Sequence, residues 1–260
     1  LLERRIEMDT VTVHGLQVNL ERDAKGTGNW DDLVKAGKGS DDKTAAGGDS
    51  DATSLADGPA IAGLALGGIS IQDASVSWAD AAAGLKAKVS SLNLKTDKIE
   101  LGKPIKITGG LDVSLSKPNI AGRVELTARV AANGPQIKAE GTELKLNLTG
   151  DTLPGETLAA VLNADIEVDN AKQTATIGNL KLQLAGLSMT GSLKAAGLHS
   201  KPAFTAKIDI ASFNLRELMQ ALEQPVPVTA DATVLGTVAI SAGISGTADS
   251  IALMPLSVAR

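Results

Sequence analysis

The sequence predicts a mainly β protein, an antiparallel meander with two short helices, on three observations. Apolar residues recur with period two along most of the chain, as on a strand with one buried face. Short polar or Gly-bearing breaks shift the frame of that alternation. Two stretches alone carry helix-capping signals.

The alternation is repeated too often to be incidental. Leu16, Val18 and Leu20 alternate with Gln17, Asn19 and Glu21. Leu111, Val113 and Leu115 are spaced by Asp112 and Ser114, and Val124 and Leu126 by Glu125. Leu144, Leu146 and Leu148 flank Lys145 and Asn147, and Leu162, Ala164, Ile166 and Val168 form a further run. Val238 and Ile240 repeat the pattern near the end.

Leu180, Leu182 and Leu184 lie on even numbers and Leu187, Met189 and Leu193 on odd ones. Ala185-Gly186, between them, fits a two-residue hairpin or a bulge. The same shift crosses Asp73-Ala74 and Ser90-Ser91. Read together, these breaks predict short strands joined by tight turns. Such strands pair antiparallel, because parallel neighbours need long crossovers.

Asn29 is the expected N-cap of a helix over 30–35, with Asp31 and Asp32 in its first turn, where the dipole favours carboxylates. Asn214 is expected to cap a helix over 215–222, with Glu217 completing a capping box. Residues 36–58 are Gly, Asp, Ser, Thr, Ala and Lys with a single Leu. That composition predicts a disordered low-complexity insertion. The expected organisation is a strand–turn–helix start over 1–35, this insertion, and a continuous curved β region over 59–260.

Composition narrows the function. Aromatics are 2% of the residues, with no Tyr, so π surfaces for bases or sugars are nearly lacking. A net charge of −5 opposes nucleic-acid binding, which needs clustered Lys and Arg. The lack of Cys excludes disulfides, thiolate metal sites and thiol nucleophiles. No apolar run approaches the roughly 18 residues of a spanning helix. The chain opens on Leu1-Leu2-Glu3-Arg4-Arg5 without an initiator Met, and is expected to be a piece of a longer protein.

Catalytic and metal chemistry find no constellation. His14 and His199 are far apart and without evident partners, so both read as surface residues. Gly26 and Gly28 begin a dinucleotide fingerprint, but Asp31 takes its third glycine position and would repel pyrophosphate. Asp49, Asp51 and Asp57-Gly58 hint at calcium, yet Ser54 and Ala60 stand where an EF-hand loop needs Gly and Glu. Asp165, Glu167 and Asp169 share a strand face that reads as solvated. Asn147-Leu148-Thr149 fits a glycosylation sequon inside a strand. No cofactor and no enzymatic activity are expected.

What covers the apolar face decides the architecture. Two short helices cannot shield so many strands, so the sheet either folds over itself as a sandwich or stays open to a ligand. Alternation alone does not separate the two.

The run LQVNLERDAKGTGNWDDLV at 16–34 resembles the AsmA family of Gram-negative envelope proteins. So does FNLRELMQALEQPVPVTAD at 213–231, with GGISIQDASVSWAD at 67–80 and GLSMTGSLKAAGL at 186–198 between them. The resemblance implies kinship with bridge-like lipid-transfer proteins, whose curled sheets form hydrophobic grooves. It further implies a periplasmic location, an inner-membrane anchor in a segment absent from this chain, and a role in phospholipid transport and outer-membrane maintenance. The implied partners are phospholipid acyl chains, with no nucleic acid. The groove-lining candidates are then Leu111, Val113, Leu115, Val124, Leu126, Leu144, Leu146, Leu148, Leu180, Leu182 and Leu184. The alternative is a structural or assembly factor built on a closed β-sandwich.

Overall fold

The computed structural model describes residues 6–32, 64–100, 102–228, 235–247, 250–253 and 257–259. The expected insertion at 36–58, and the calcium reading within it, lie outside the described residues.

The chain begins with β1 (Ile6–Met8), β2 (Val11–His14), β3 (Gln17–Arg22) and β4 (Leu64–Leu66). Long strands follow: β5 (Ile69–Asp80), β6 (Leu85–Thr96), the short β7 (Ile99–Glu100), β8 (Ile105–Ser116), β9 (Asn119–Asn133) and β10 (Gln136–Gly150). Next come β11 (Thr157–Asp169), β12 (Thr174–Leu184), β13 (Leu187–Ala196) and β14 (Ala203–Asn214). Helix α1 (Leu215–Ala221) precedes β15 (Thr237–Thr247), β16 (Ile251–Leu253) and β17 (Ser257–Ala259).

From β5 to β16 the strands form one open antiparallel sheet in which each strand pairs with its neighbours along the sequence, β7 excepted. A small separate sheet holds β1, β4 and β7. The mainly β, antiparallel expectation holds, with two corrections. Strands β2 and β3 run parallel to β5 at the sheet's edge. They reach it across residues 23–68, a connection long enough for the crossover that parallel pairing demands.

The second correction concerns strand length. Asp73-Ala74 and Ser90-Ser91 are not turns but interruptions within continuous 12-residue strands. The ladders skip there, between Ile71 and Val76 on β5 and between Ser90 and Asn93 on β6. Asp73 and Ser91 take φ of 52° and 51°, in the left-handed region where a bulge absorbs its extra residue. Ala185-Gly186, by contrast, is a true two-residue hairpin, with Leu184 opposite Leu187.

Helix α1 starts as expected. The Asn214 side chain accepts hydrogen bonds from the amides of Arg216 and Glu217 at 3.0 and 3.2 Å. Glu217 reaches back to the Asn214 side-chain amide at 3.0 Å rather than to its backbone. Asp31 and Asp32 are helical, as expected at the start of 30–35, whose residues 33–35 lie outside the described ones, but Asn29 turns its side chain the other way. Its side chain accepts from the Glu21 amide at 3.0 Å and donates to the Asn19 carbonyl at 2.9 Å, so it pins the turn against β3. Gly28 is needed beside it, since a Cβ there would lie 2.6 Å from the Trp30 ring.

Candidate functional site

Ladder partners in a sheet point to the same side, and alternate residues along a strand share a side. Leu111 pairs with Val124 and Val124 with Leu146, so these three lie on one face. Leu126 pairs with Leu144, Leu144 with Leu162, and Leu162 with Leu182, forming a second row on that face. Val113 and Leu148 both oppose Gly122, and Leu115 opposes Ile120. Leu184 opposes Ala160 and Leu180 opposes Gly191. All eleven candidates therefore share one face.

That face is wider than the candidates. On β14 and β15 it continues through the pairs Ala206–Ile244, Ile208–Ala242 and Ile210–Ile240. On the other side it continues through Val113–Val89, Val89–Val76 and Val76–Val18. The missing members were visible as alternation in the sequence; only their pairing was not.

Bulges keep the face unbroken. Along β9 the face residues run through even positions, from Ile120 to Ala132, without interruption. Beside it, β10 contributes Ile137 and Ala139 and then, past the bulge at Glu140-Gly141, Leu144, Leu146 and Leu148. Without that extra residue a one-position slip would send one half of the strand's apolar side chains to the polar side. Strand β12 does the same at Gly178-Asn179, between Ile177 and Leu180. Every shift of frame that the sequence shows within a strand is matched by a bulge.

Polar side chains hold these bulges. Asn93 accepts from the Asp73 amide at 3.2 Å. Asp165 accepts from the Gly141 amide at 2.8 Å and from the Asn179 side chain at 2.6 Å. Those bonds, Asn179 first, hold its carboxyl below the usual aspartate range. The Ser91 hydroxyl and then Arg123 do the same for Asp112. The opposite face carries exposed ion pairs, such as Arg123–Asp112 at 3.2 Å and Lys138–Glu167 at 3.4 Å. Pairs so exposed add little stability.

The apolar face has no second layer over it among the described residues. No large side chain there is fully buried, and the buried apolar residues are Ala74, Ala128, Ala160 and Ala164. Leu115 and Leu126 are each 37% exposed, and Ile137 42%. The substantial contacts run between strands adjacent in a sheet, and those of α1 are with β14. A closed sandwich would bury the leucine rows, so the described residues do not form the closed sheet of the alternative.

The remaining candidates stay apart. His14 is an exposed residue 3.9 Å from Asp73, and His199 is exposed at a turn. Asp165, Glu167 and Asp169 each have separate partners, in the bulge amides, Lys138, and Lys172 with Gln136. Among the described residues no cluster of potential metal ligands forms. Nor is any helix among them long and apolar enough to cross a membrane.

The AsmA family model matches residues 1–200. The chain belongs to the AsmA family. No curated protein and no solved structure matches it. AsmA membership makes it an envelope-associated protein, of a family not known for enzymes. The match spans the strands that carry all eleven candidate residues, from Leu111 on β8 to Leu184 on β12.

Proposed function

We propose that this AsmA-family chain is a periplasmic lipid-binding element whose apolar face serves as a groove for phospholipid acyl chains. In the longer protein it would be attached to the inner membrane. It would help move phospholipid between the inner and outer membranes and so maintain the outer one. The observation that carries this reading is the apolar face itself, continuous across the sheet and left uncovered by the described residues. Exposed apolar area on this scale marks a surface that meets an apolar partner.

The mechanism is solvation rather than turnover. Each CH₂ that leaves water for the leucine, isoleucine and valine side chains gains about 0.8 kcal/mol. A chain can slide along the face because neighbouring rows offer the same chemistry. The bulges that hold the frame extend that path across strands. The reading needs no catalytic group and no cofactor.

Mass spectrometry of lipids that co-purify with the protein tests it. Stoichiometric phospholipid is the expected result. A protein that purifies folded and lipid-free, and takes up none from vesicles, would overturn it.

A further inference from the structure

Charge is almost absent from the apolar face, and the exception is local. Among the described residues of the large sheet, the ladders place two charged side chains on that face, Arg22 and Asp80. They are paired with one another in the final rung of β3 and β5. The preceding rung is Leu20 with Trp78, followed across the sheet by Ala87 and Leu115. The apolar face thus ends, at this one corner, in a charged pair.

A cavity of about 540 Å³ lies at that corner. It wraps the strand ends, drawing Arg22, Asp80 and Leu85 from the apolar face and Glu21, Ala79 and Lys86 from the polar one. Gly84 also lines it, and the Lys117 ammonium stands 2.9 Å from where a Cβ on Gly84 would be. Two cations, Arg22 and Lys86, therefore line the cavity, and a third, Lys117, stands beside its wall at Gly84. Lys86 and Lys117 are exposed and have no anionic partner among the described residues. Arg22 is 3.8 Å from Asp80, too far for a direct hydrogen bond.

The carboxylates at the corner are mostly occupied. Asp80 accepts from the Ala83 amide at 2.9 Å and so fixes the turn between β5 and β6. Asp23 accepts from the amides of Lys25 and Thr27 at 2.8 and 2.9 Å. Glu21 is left as the one carboxylate lining the cavity whose side chain is not tied to a neighbouring amide. A corner of this balance suits a phosphate that carries an ammonium beside it.

We propose that this corner seats the headgroup of a zwitterionic phospholipid whose acyl chains lie on the apolar face, starting at Leu20 and Trp78. The phosphate would be met by Arg22, Lys86 and Lys117, and the ammonium by Glu21. This inference rests on the lipid-binding reading and adds to it the place and chemistry of headgroup recognition.

Binding of labelled phosphatidylethanolamine and of labelled diacylglycerol with the same acyl chains tests it on the full chain. The phospholipid binds at least about tenfold more tightly, the scale of a charge-assisted hydrogen bond. The double substitution Lys86→Gln and Lys117→Gln brings the phospholipid down to the diacylglycerol level and leaves diacylglycerol unchanged. The pair Lys86→Arg and Lys117→Arg retains the preference, and circular dichroism shows all variants folded. Free glycerophosphoethanolamine at millimolar concentration does not displace the lipid. Equal binding of both lipids to the unsubstituted protein would overturn the headgroup seat while sparing the lipid face. So would a preference that survives the Gln pair. Binding of neither lipid would remove the lipid face and, with it, this inference.

Discussion

The Asp165 carboxylate on β11 accepts a hydrogen bond from the Gly141 amide on β10 at 2.8 Å. Its second oxygen accepts from the Asn179 side chain on β12 at 2.6 Å. Gly141 and Asn179 are the positive-φ residues of the bulges on either side, at 56° and 48°. An unbulged strand thus clamps both bulged neighbours through one side chain.

Asp165→Ala should lower the thermal midpoint at neutral pH by a few degrees, since both bulges lose the same acceptor. The Asp165 carboxyl is held below its ordinary value, by the Asn179 bond first and the Gly141 amide second. A depressed carboxyl stabilises the fold above its unfolded pKa, about 3.9 for aspartate, and loses that contribution as pH falls through the folded value. The gap between wild type and variant should therefore narrow in acid. Melting curves at both pH values check this, and a gap independent of pH would contradict the clamp.

Asp169 gives a sharper window. Its carboxyl is pulled down to about 2 by the Lys172 amide, then by the Gln136 side chain and the Lys172 ammonium. Its contribution is complete above about pH 3.9 and is lost as pH falls toward about 2. Urea unfolding should show wild type losing more stability across that interval than Asp169→Asn. Parallel losses would place the acid sensitivity elsewhere.

The hairpin between β12 and β13 turns on two residues with positive φ, Ala185 at 47° and Gly186 at 81°. That is a type I′ geometry, which favours Asn-Gly and penalises an Ala at its first position. Ala185→Asn should stabilise the protein by about 0.5–1 kcal/mol. Chemical denaturation measures it, and a loss of stability would mean that the turn relaxes to another form.

The face was legible in the sequence because alternation reports burial directly, and every candidate from Leu111 to Leu184 rests on one side of the sheet. The bulges were not, because a bulge and a tight turn leave the same mark, a shift of frame by one. Ala185-Gly186 turns the chain, whereas Asp73 and Ser91 only kink it, and what separates them is pairing with distant strands. Asn29 misled for a related reason. An Asn before two aspartates is a good cap locally, but β3 offered its side chain an open strand edge, and tertiary pairing took precedence. The parallel edge strands were hidden by residues 23–68, whose length is visible but whose route is not.

Leu146→Asp, compared with Lys145→Asp, tests the lipid face most directly. Leu146 stands in the row with Leu111 and Val124, half exposed, and Lys145 on the opposite side pairs with Glu143 at 2.9 Å. On an open face a carboxylate at 146 is reached by water until acyl chains press on it, so its desolvation cost falls on binding. Under a covering layer the same cost would fall on folding, at several kcal/mol, comparable with the stability of a whole domain. Circular dichroism together with photo-crosslinking to labelled phospholipid separates the two. A folded Leu146→Asp that captures no lipid, beside a folded Lys145→Asp that captures it normally, is the expected result. Unfolding of Leu146→Asp, or undiminished lipid capture by it, would contradict the account.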